Sequence, residues 1–451
     1  MRWALYPSQY WSRPALLSFV PAIAATPSPM DSQLPDPKQM DHLSTLPDAL
    51  LLTILSLLPL RVAARTSVLS CRFRHLWRAR PSLSLISRDL PPPKCHNVVA
   101  MAHSALLRRD PSHPLFSLLL DISGYAGFKD SFFPSLLLKA HSLRLRHLTI
   151  ESCSSWDLLH SLPTIFSIDS LESLSLPTLR PSVSSLQAFQ FPSSITLTCL
   201  KRLSLSLVDI HPAEINRLLS ELPSLEDLHL QVCATDPMVL SSQTIRKLEL
   251  IVVVGCENFD ALELSMPLLE LLCFETHGLS INKSLPHIHG AIPSLRKAVI
   301  KLEELHRKDA SAAAGLLKYI SQAEELSLNL KESEDEMVPF TILLEPGKDP
   351  PNFPNLKNLD VTMCCHKHNF EAVVAVLHHC PALESLKLVH EFPKFTYRSR
   401  LRNWEDWVSE LPCSGCRYVY FRNLHLGENV KEFEFIKSLN NKYTFTRQAS
   451  N

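Results

Sequence analysis

The chain has 451 residues, and its 45 basic and 45 acidic side chains give a formal net charge of zero at pH 7. That balance supplies no global field toward nucleic acid or anionic lipid and excludes a dedicated DNA binder. Its nine glycines assemble neither GxGxxG nor GxxxxGK(S/T), which removes the common phosphate-cradling loops.

An apolar fraction of 45% suits a folded chain, and the length allows about three domain-sized units. Twelve cysteines without dense pairing suit reduced thiols in the nucleus or cytoplasm, not a disulfide scaffold. Residues 1–40 read as a disordered extension. The first thirty hold no acid, two arginines (Arg2, Arg13) and several prolines, and Met30 and Met40 both precede the folded pattern. An organelle transit peptide is the minor alternative. The run from Pro14 to Ala25 is too short to span a bilayer, and no membrane partner is expected.

Residues 41–85 read as three short helices. Ser44 or Thr45 can cap the first, with Pro47 in its first turn and Asp48 at the positive end of its dipole. Leu50, Leu51, Ile54, Leu55 and Leu58 follow at helical spacing until Pro59. Val62, Thr66 and Leu69 share a second face; Phe73, Leu76 and Trp77 form a third before Pro81. So small a module cannot hide that many leucines, so its surplus apolar surface should meet a partner. Arg61, Arg65, Arg72, Arg74, Arg78 and Arg80, with no acid between them, read as a surface complementary to an acidic partner.

LPDALLLTILSLLP followed by RTSVLSCRFRHLWR resembles the plant F-box. The resemblance implies docking on the small adaptor of Skp–cullin–F-box ubiquitin ligases. The implied adaptor-binding residues are Leu46, Pro47, Leu50, Leu51, Ile54, Leu55, Leu58, Pro59, Thr66, Val68, Leu69, Ser70 and Trp77. Ala49, Arg61-Val62 and Phe73 depart from residues common in that family.

After a linker at 86–109, residues 110–392 repeat LxxLxL, as in LRHLTIESC, LKRLSLSLV, LEDLHLQVC and LKNLDVTMC. Repeats start at Leu115, Leu145, Leu171, Leu200, Leu225, Ile245, Leu269, Leu295, Ala323, Leu356 and Leu383, spaced near the leucine-rich-repeat period. Each start should open a short strand, and the apolar run after it, such as HPAEINRLLSELPS, should return as a helix. A single repeat cannot bury its face, so stacking into a curved α/β solenoid is obligatory. Cys153, Cys233 and Cys364 occupy the place where such repeats turn an Asn or Cys inward.

Side chains between the strand leucines should line the concave face and hold a target protein. They include His147, Thr149, Arg202, Ser204, Asp227, His229, Lys247 and Glu249. Further along they include Lys297, Lys301, Glu325, Asn329, Asn358, Asp360, Ser385 and Lys387. Mixed signs without a basic stripe favour a protein surface over a nucleic-acid backbone. The interval from Ala323 to Leu356, with the acidic run Glu332–Glu336, reads as a protruding loop.

Residues 393–451 resemble the FBD extension of plant F-box proteins. The resemblance runs through Trp404 or Trp407, Leu411-Pro412, a strand at Val419–Leu424 and a helix at Glu428–Leu439. They would cap the solenoid's open end. Cys364-Cys365-His366-Lys367-His368 with His378-His379-Cys380, and Cys413-x-x-Cys416, do not converge as zinc ligands should, so neither metal nor cofactor is expected. No GxSxG or HExxH motif marks an active site. The resulting expectation is a non-catalytic substrate receptor that binds the adaptor, the cullin through it, and an unknown target protein. An adaptor-binding or repeat-only scaffold without a ligase role, and a small-molecule-sensing F-box receptor, remain the alternatives.

Overall fold

The computed structural model describes residues 45–86, 98–109, 111–121, 132–151, 155–179, 190–208, 211–234, 237–254, 259–277, 284–305, 307–332, 351–363, 373, 375–390 and 418–422. Residues 1–47 form one unit, of which 45–47 are described; the rest of the chain forms the other. In the larger unit Asp48 opens α1 (Asp48–Ser56), where an acid favours the positive end of the helix. Pro59 stands before α2 (Leu60–Arg65), and Ser70 caps α3 (Cys71–Leu76) by accepting the Phe73 N–H at 3.3 Å. Leu51 and Leu55, Ala63, Phe73 and Leu76 fill the small interior.

The second helical run departs from the single face expected of Val62, Thr66 and Leu69. The α-helix ends at Arg65, Thr66 Oγ1 donates to the Ala63 carbonyl at 2.7 Å, and Val62 and Leu69 are exposed. Arg80 also departs from expectation. It is 1% exposed, and its Nη2 donates to the Ser56 and Leu58 carbonyls at 3.1 and 3.0 Å. A helix leaves its last carbonyls without partners inside the helix, and a buried guanidinium supplies them here. Burial pulls the Arg80 pKa down. Arg109 is likewise buried and donates to the His113 and Pro114 carbonyls; burial, with the nearby charge of Arg80, lowers its pKa to about 10.

From Ser82 the chain runs through β1 (Ser82–Ile86), α4 (Val98–Leu107), β2 (Ser117–Asp121), α5 (Phe132–Ser142), β3 (His147–Glu151), α6 (Ser155–Phe166) and β4 (Ser173–Leu179). Next come β5 (Arg202–Val208), α7 (Pro212–Ser220), β6 (Asp227–Ala234), β7 (Met238–Ser241), β8 (Lys247–Val254), β9 (Ala261–Ser265) and β10 (Leu271–His277). The last elements are β11 (His287–Ala291), β12 (Lys297–Leu305), α8 (Ala310–Tyr319), β13 (Glu325–Glu332), β14 (Asn358–Met363), β15 (Ser385–His390) and β16 (Tyr418–Arg422). Thirteen strands form one parallel sheet in the order β1-β2-β3-β4-β5-β6-β8-β10-β12-β13-β14-β15-β16. A strand begins two residues after every repeat start read from the sequence, and those eleven starts are all buried. Most strands then alternate: Leu203, Leu205 and Leu207 of β5 point into the core, while the residues between them stay partly accessible.

The sheet reaches beyond residues 110–392 at both ends. β1 lies inside the segment expected to be wholly helical, α4 occupies the expected linker, and β16 lies in the expected cap. Ser82-Leu83-Ser84-Leu85-Ile86 has the same in–out alternation as the later strands, and it stacks on β2 with Ser82 opposite Ser117. Leu60 and the half-buried Trp77 join the solenoid core, so the helices pack against the first repeats.

Not every return is a helix. HPAEINRLLSELPS does supply α7, but β7, β9 and β11 form a second parallel sheet of three strands. In the repeats starting at Leu225, Ile245 and Leu269 the MVLS, ALELS and HIHGA returns stay extended, although the repeats from Leu145 and Leu200 are of similar length and hold helices. Asn216 of α7 closes one edge of this sheet: its Nδ2 donates to the Val239 carbonyl at 2.6 Å and its Oδ1 accepts the Ser241 N–H at 3.1 Å. At the other edge Gly290 has φ +117°, and a Cβ there would lie 2.2 Å from the Leu264 carbonyl oxygen, which also accepts the Tyr319 hydroxyl.

Thr276 is fully buried among apolar strand residues, opposite Val252 and Leu302, and its Oγ1 has no partner. Thr276→Val keeps the shape and removes the unpaired hydroxyl, so it is expected to stabilise the protein by about 1 kcal/mol. A lower melting temperature for the variant would contradict this.

Candidate functional site

The described residues present two surfaces. On α1, Leu51 and Leu55 point inward while Leu50 and Ile54 point out, and Leu57 extends their stripe by three residues. Leu57 is 74% exposed and Val68 86%; with Leu50, Ile54, Val62 and Leu69 they make six of the eleven exposed large apolar side chains among the described residues. Exposed apolar side chains are concentrated in these twenty residues, the kind of surface at which proteins meet partners.

Of the residues implied for adaptor docking, Leu50, Ile54, Val68 and Leu69 are exposed, as are Pro47 and Pro59; Leu46, Leu58 and Trp77 are half-buried. Leu51 and Leu55 are corrected to supporting positions, because they fill the interior beneath the stripe. Thr66 and Ser70 are half-buried, and their hydroxyls are engaged in a local turn and the α3 cap. Leu57 is hard to single out in the sequence because Leu57-Leu58 offers two registers, and Leu58 continues the spacing of Leu51 and Leu55. Of the module's arginines, Arg61, Arg65 and Arg74 are exposed, whereas Arg72 donates to Asp48 at 2.7 Å and Arg78 lies over the Trp77 ring at 5.5 Å.

The second surface is the sheet face opposite the buried leucines. All sixteen of its expected charged or polar contact residues, from His147 on β3 to Lys387 on β15, take strand positions alternate to the core. Parallel register sets several side by side. Lys297 pairs with Glu325 at 2.8 Å, Lys387 pairs with Asp360, and His229 Nδ1 lies 3.3 Å from Glu249 Oε2. The histidine holds the Glu249 carboxyl below its ordinary range. Arg202 stands beside Asp227, and Asp227 beside Lys247. Burial and the neighbouring Arg202 push the His147 pKa down.

The strongest cluster lies on β10 and β12 and includes residues the sequence reading passed over. His277 holds two carboxylates, with Nε2 2.9 Å from Glu275 Oε1 and Nδ1 2.8 Å from Glu303 Oε2. Lys301 donates to Glu275 at 2.9 Å. The hydrogen bonds with Glu275 and Glu303 raise the His277 pKa to about 9, and that with His277, then Lys301, lowers the Glu275 pKa to about 2. Cys273, desolvated in their midst, is pushed up to about 11 and held as an unreactive thiol. The repeat start at Leu269 was the available signal, since it puts 271, 273, 275 and 277 on this face.

The cluster makes stability depend on pH. A raised histidine pKa stabilises the fold fully below its ordinary value of 6.5, and that contribution is lost as pH rises through about 9. The lowered Glu275 pKa acts fully above 4.5 and is lost as pH falls through about 2. The melting temperature is therefore expected to fall between pH 6.5 and 9, and His277→Gln should flatten that limb. An unchanged alkaline limb in the variant would refute the assignment.

Cys233 does not turn inward. β6 continues to Ala234, so alternation puts Cys233 on the open face after Gln231. Cys153, Cys364, Cys365, His366, His368, Cys413 and Cys416, Trp404 and Trp407, and residues 428–439 lie outside the described residues, as does the expected loop beyond Glu332 up to residue 350. Cys380 is buried and its thiol donates to the Val376 carbonyl. Among the described residues no group of three or more His, Cys, Asp or Glu is placed to hold a metal ion, and no helix is long and apolar enough to cross a membrane.

The family model "At1g61320/AtMIF1, LRR domain" matches residues 182–408, half of the chain. An FBD-associated F-box protein of Arabidopsis thaliana is 28% identical, over 81% of this chain and 80% of the relative. A putative F-box/LRR-repeat protein of the same plant is 24% identical over 78% and 76%. A putative F-box/FBD/LRR-repeat protein, also from Arabidopsis, is 28% identical over 52% of this chain, and the chain spans 53% of that relative's length. The resemblance to plant F-box/leucine-rich-repeat proteins with FBD-like features agrees with these relatives.

Proposed function

This chain belongs to the leucine-rich-repeat family described as At1g61320/AtMIF1, LRR domain, and we propose that it is the substrate-recognition subunit of a Skp–cullin–F-box ubiquitin ligase. In this reading the helices α1 to α3 are an F-box that docks on a Skp-type adaptor, and the cullin joins through that adaptor. The open face of the sheet holds a target protein. The chain contributes no catalytic group; it speeds ubiquitin transfer by holding the target near the charged enzyme, which converts an encounter into an effectively unimolecular step.

The observation that carries the reading is the outward Leu50 and Ile54 on a helix whose inward positions, Leu51 and Leu55, are already buried, with the exposed Leu57 just past its end. The exposed Arg61, Arg65 and Arg74 of the same helical module suit an acidic partner. The mixed, laterally paired charges of the open face suit a protein target. Reconstitution with purified adaptor, cullin and ubiquitin enzymes tests the proposal. Ubiquitin chains that form only when both adaptor and this protein are present are the expected result. Absence of adaptor and cullin from material co-purified out of plant extract would defeat it. The exposed Ala49, Arg61 and Val62, which depart from common F-box residues, favour a second reading: a protein that binds the adaptor without joining a cullin. Adaptor binding without chain formation would select it.

A further inference from the structure

In the thirteen-stranded sheet the residue just before each strand from β3 to β15 is charged, and the signs alternate without a break. The first five are Arg146, Glu172, Lys201, Glu226 and Arg246. Glu270, Arg296, Glu324, Lys357 and Glu384 continue the series. They stack directly. The backbone N–H of each donates to the carbonyl of the one before, at 2.7–3.0 Å along all nine steps. The sequence extends the alternation to Arg417 before β16, outside the described residues.

Neighbouring strands lie about 4.8 Å apart, so adjacent members of this ladder are within reach of one another and members two steps apart are not. Arg146 and Glu172 approach to 3.5 Å, Arg246 and Glu270 to 2.7 Å, and Glu324 lies between Arg296 at 3.5 Å and Lys357 at 2.8 Å. Glu324 is held below its ordinary pKa and Lys357 above, each mainly by hydrogen bonding to the other. Opposite charges facing across neighbouring strands stabilise a sheet modestly, and like charges there destabilise it by similar amounts.

We infer that this ladder is a stacking code, in which each repeat is electrostatically matched to its sequence neighbour and mismatched to the repeat beyond. The strand leucines cannot provide that discrimination, because the strands of the long sheet share one alternating apolar pattern. A solenoid that skipped one repeat while folding would still bury leucine on leucine, but it would bring two like charges together at this edge. Each ladder residue immediately precedes the first residue of the open face, so the code also holds the register of the surface assigned to target binding. It acts on the fold alone, and it stands even if the ligase reading fails.

The test counts like-charge junctions against substitutions in the full chain. Glu270→Arg creates two junctions, with Arg246 and Arg296. Inverting the signs of Arg146, Glu172, Lys201, Glu226 and Arg246 together creates one, between residues 246 and 270. Inverting all ten creates none between the ten. At low ionic strength the melting temperature should be lowest for the single substitution, by about 3 °C, intermediate for the fivefold inversion and near wild type for the tenfold one. The differences should shrink in 1 M salt, where the screening length is about 3 Å. A tenfold inversion as unstable as Glu270→Arg, or Glu270→Arg melting with Glu270→Gln, would overturn the inference.

Discussion

Replacing Leu50 and Ile54 together by aspartate is expected to weaken binding to a Skp-type adaptor by about 100-fold or more while the helices stay folded. Both side chains are exposed in the free chain, so the substitutions expose no core and open no cavity. In the complex each would bury apolar area, a loss of about 1–1.5 kcal/mol per residue. Each aspartate would also have to shed water against an apolar partner surface, adding a cost of the same order. Together these exceed about 2.7 kcal/mol, which is a factor of 100 in affinity. Titration of the purified chain with adaptor reads the effect, and circular dichroism checks the fold. Leu51→Asp is the wrong experiment: Leu51 is 1% exposed, so its loss of binding would report unfolding instead.

The second large effect is structural. Arg80→Ala removes both donors to the Ser56 and Leu58 carbonyls and leaves the end of α1 buried without partners. Charge-assisted hydrogen bonds of this kind contribute about 1.5–3 kcal/mol each. The unpartnered Nε and Nη1 of the same guanidinium oppose them with a desolvation cost. A net loss of about 3 kcal/mol is expected, concentrated in α1. Arg80→Met, which keeps the apolar stem, should lose nearly as much. Hydrogen exchange of the α1 amides measures it; protection unchanged in both variants would show that the cap is not needed.

The repeats were legible because each carries its own signal: an apolar start, then period-two alternation, so Leu115 to Leu383 mark the strands without long-range knowledge. Short returns were not. MVLS and ALELS are compatible with either a helical turn or a strand, and only stacking on equally short neighbours decides. On α1, five of the nine residues in DALLLTILS are leucine or isoleucine, so the sequence offers two apolar faces and does not say which is covered. The choice depends on Phe73 and Leu76, roughly twenty residues on. Arg80 read as surface because an arginine's burial depends on two carbonyls more than twenty residues away. The His277 cluster needed lateral register, since Glu275 and Glu303 meet that ring only when β10 and β12 align.

The most direct measurement of the central claim is hydrogen exchange of the full chain with and without saturating adaptor. The account predicts slowed exchange confined to α1, α2 and the turn through Leu69, with the amides of β3 to β15 unchanged. Protection spread over the sheet instead, or no protection anywhere, would contradict it.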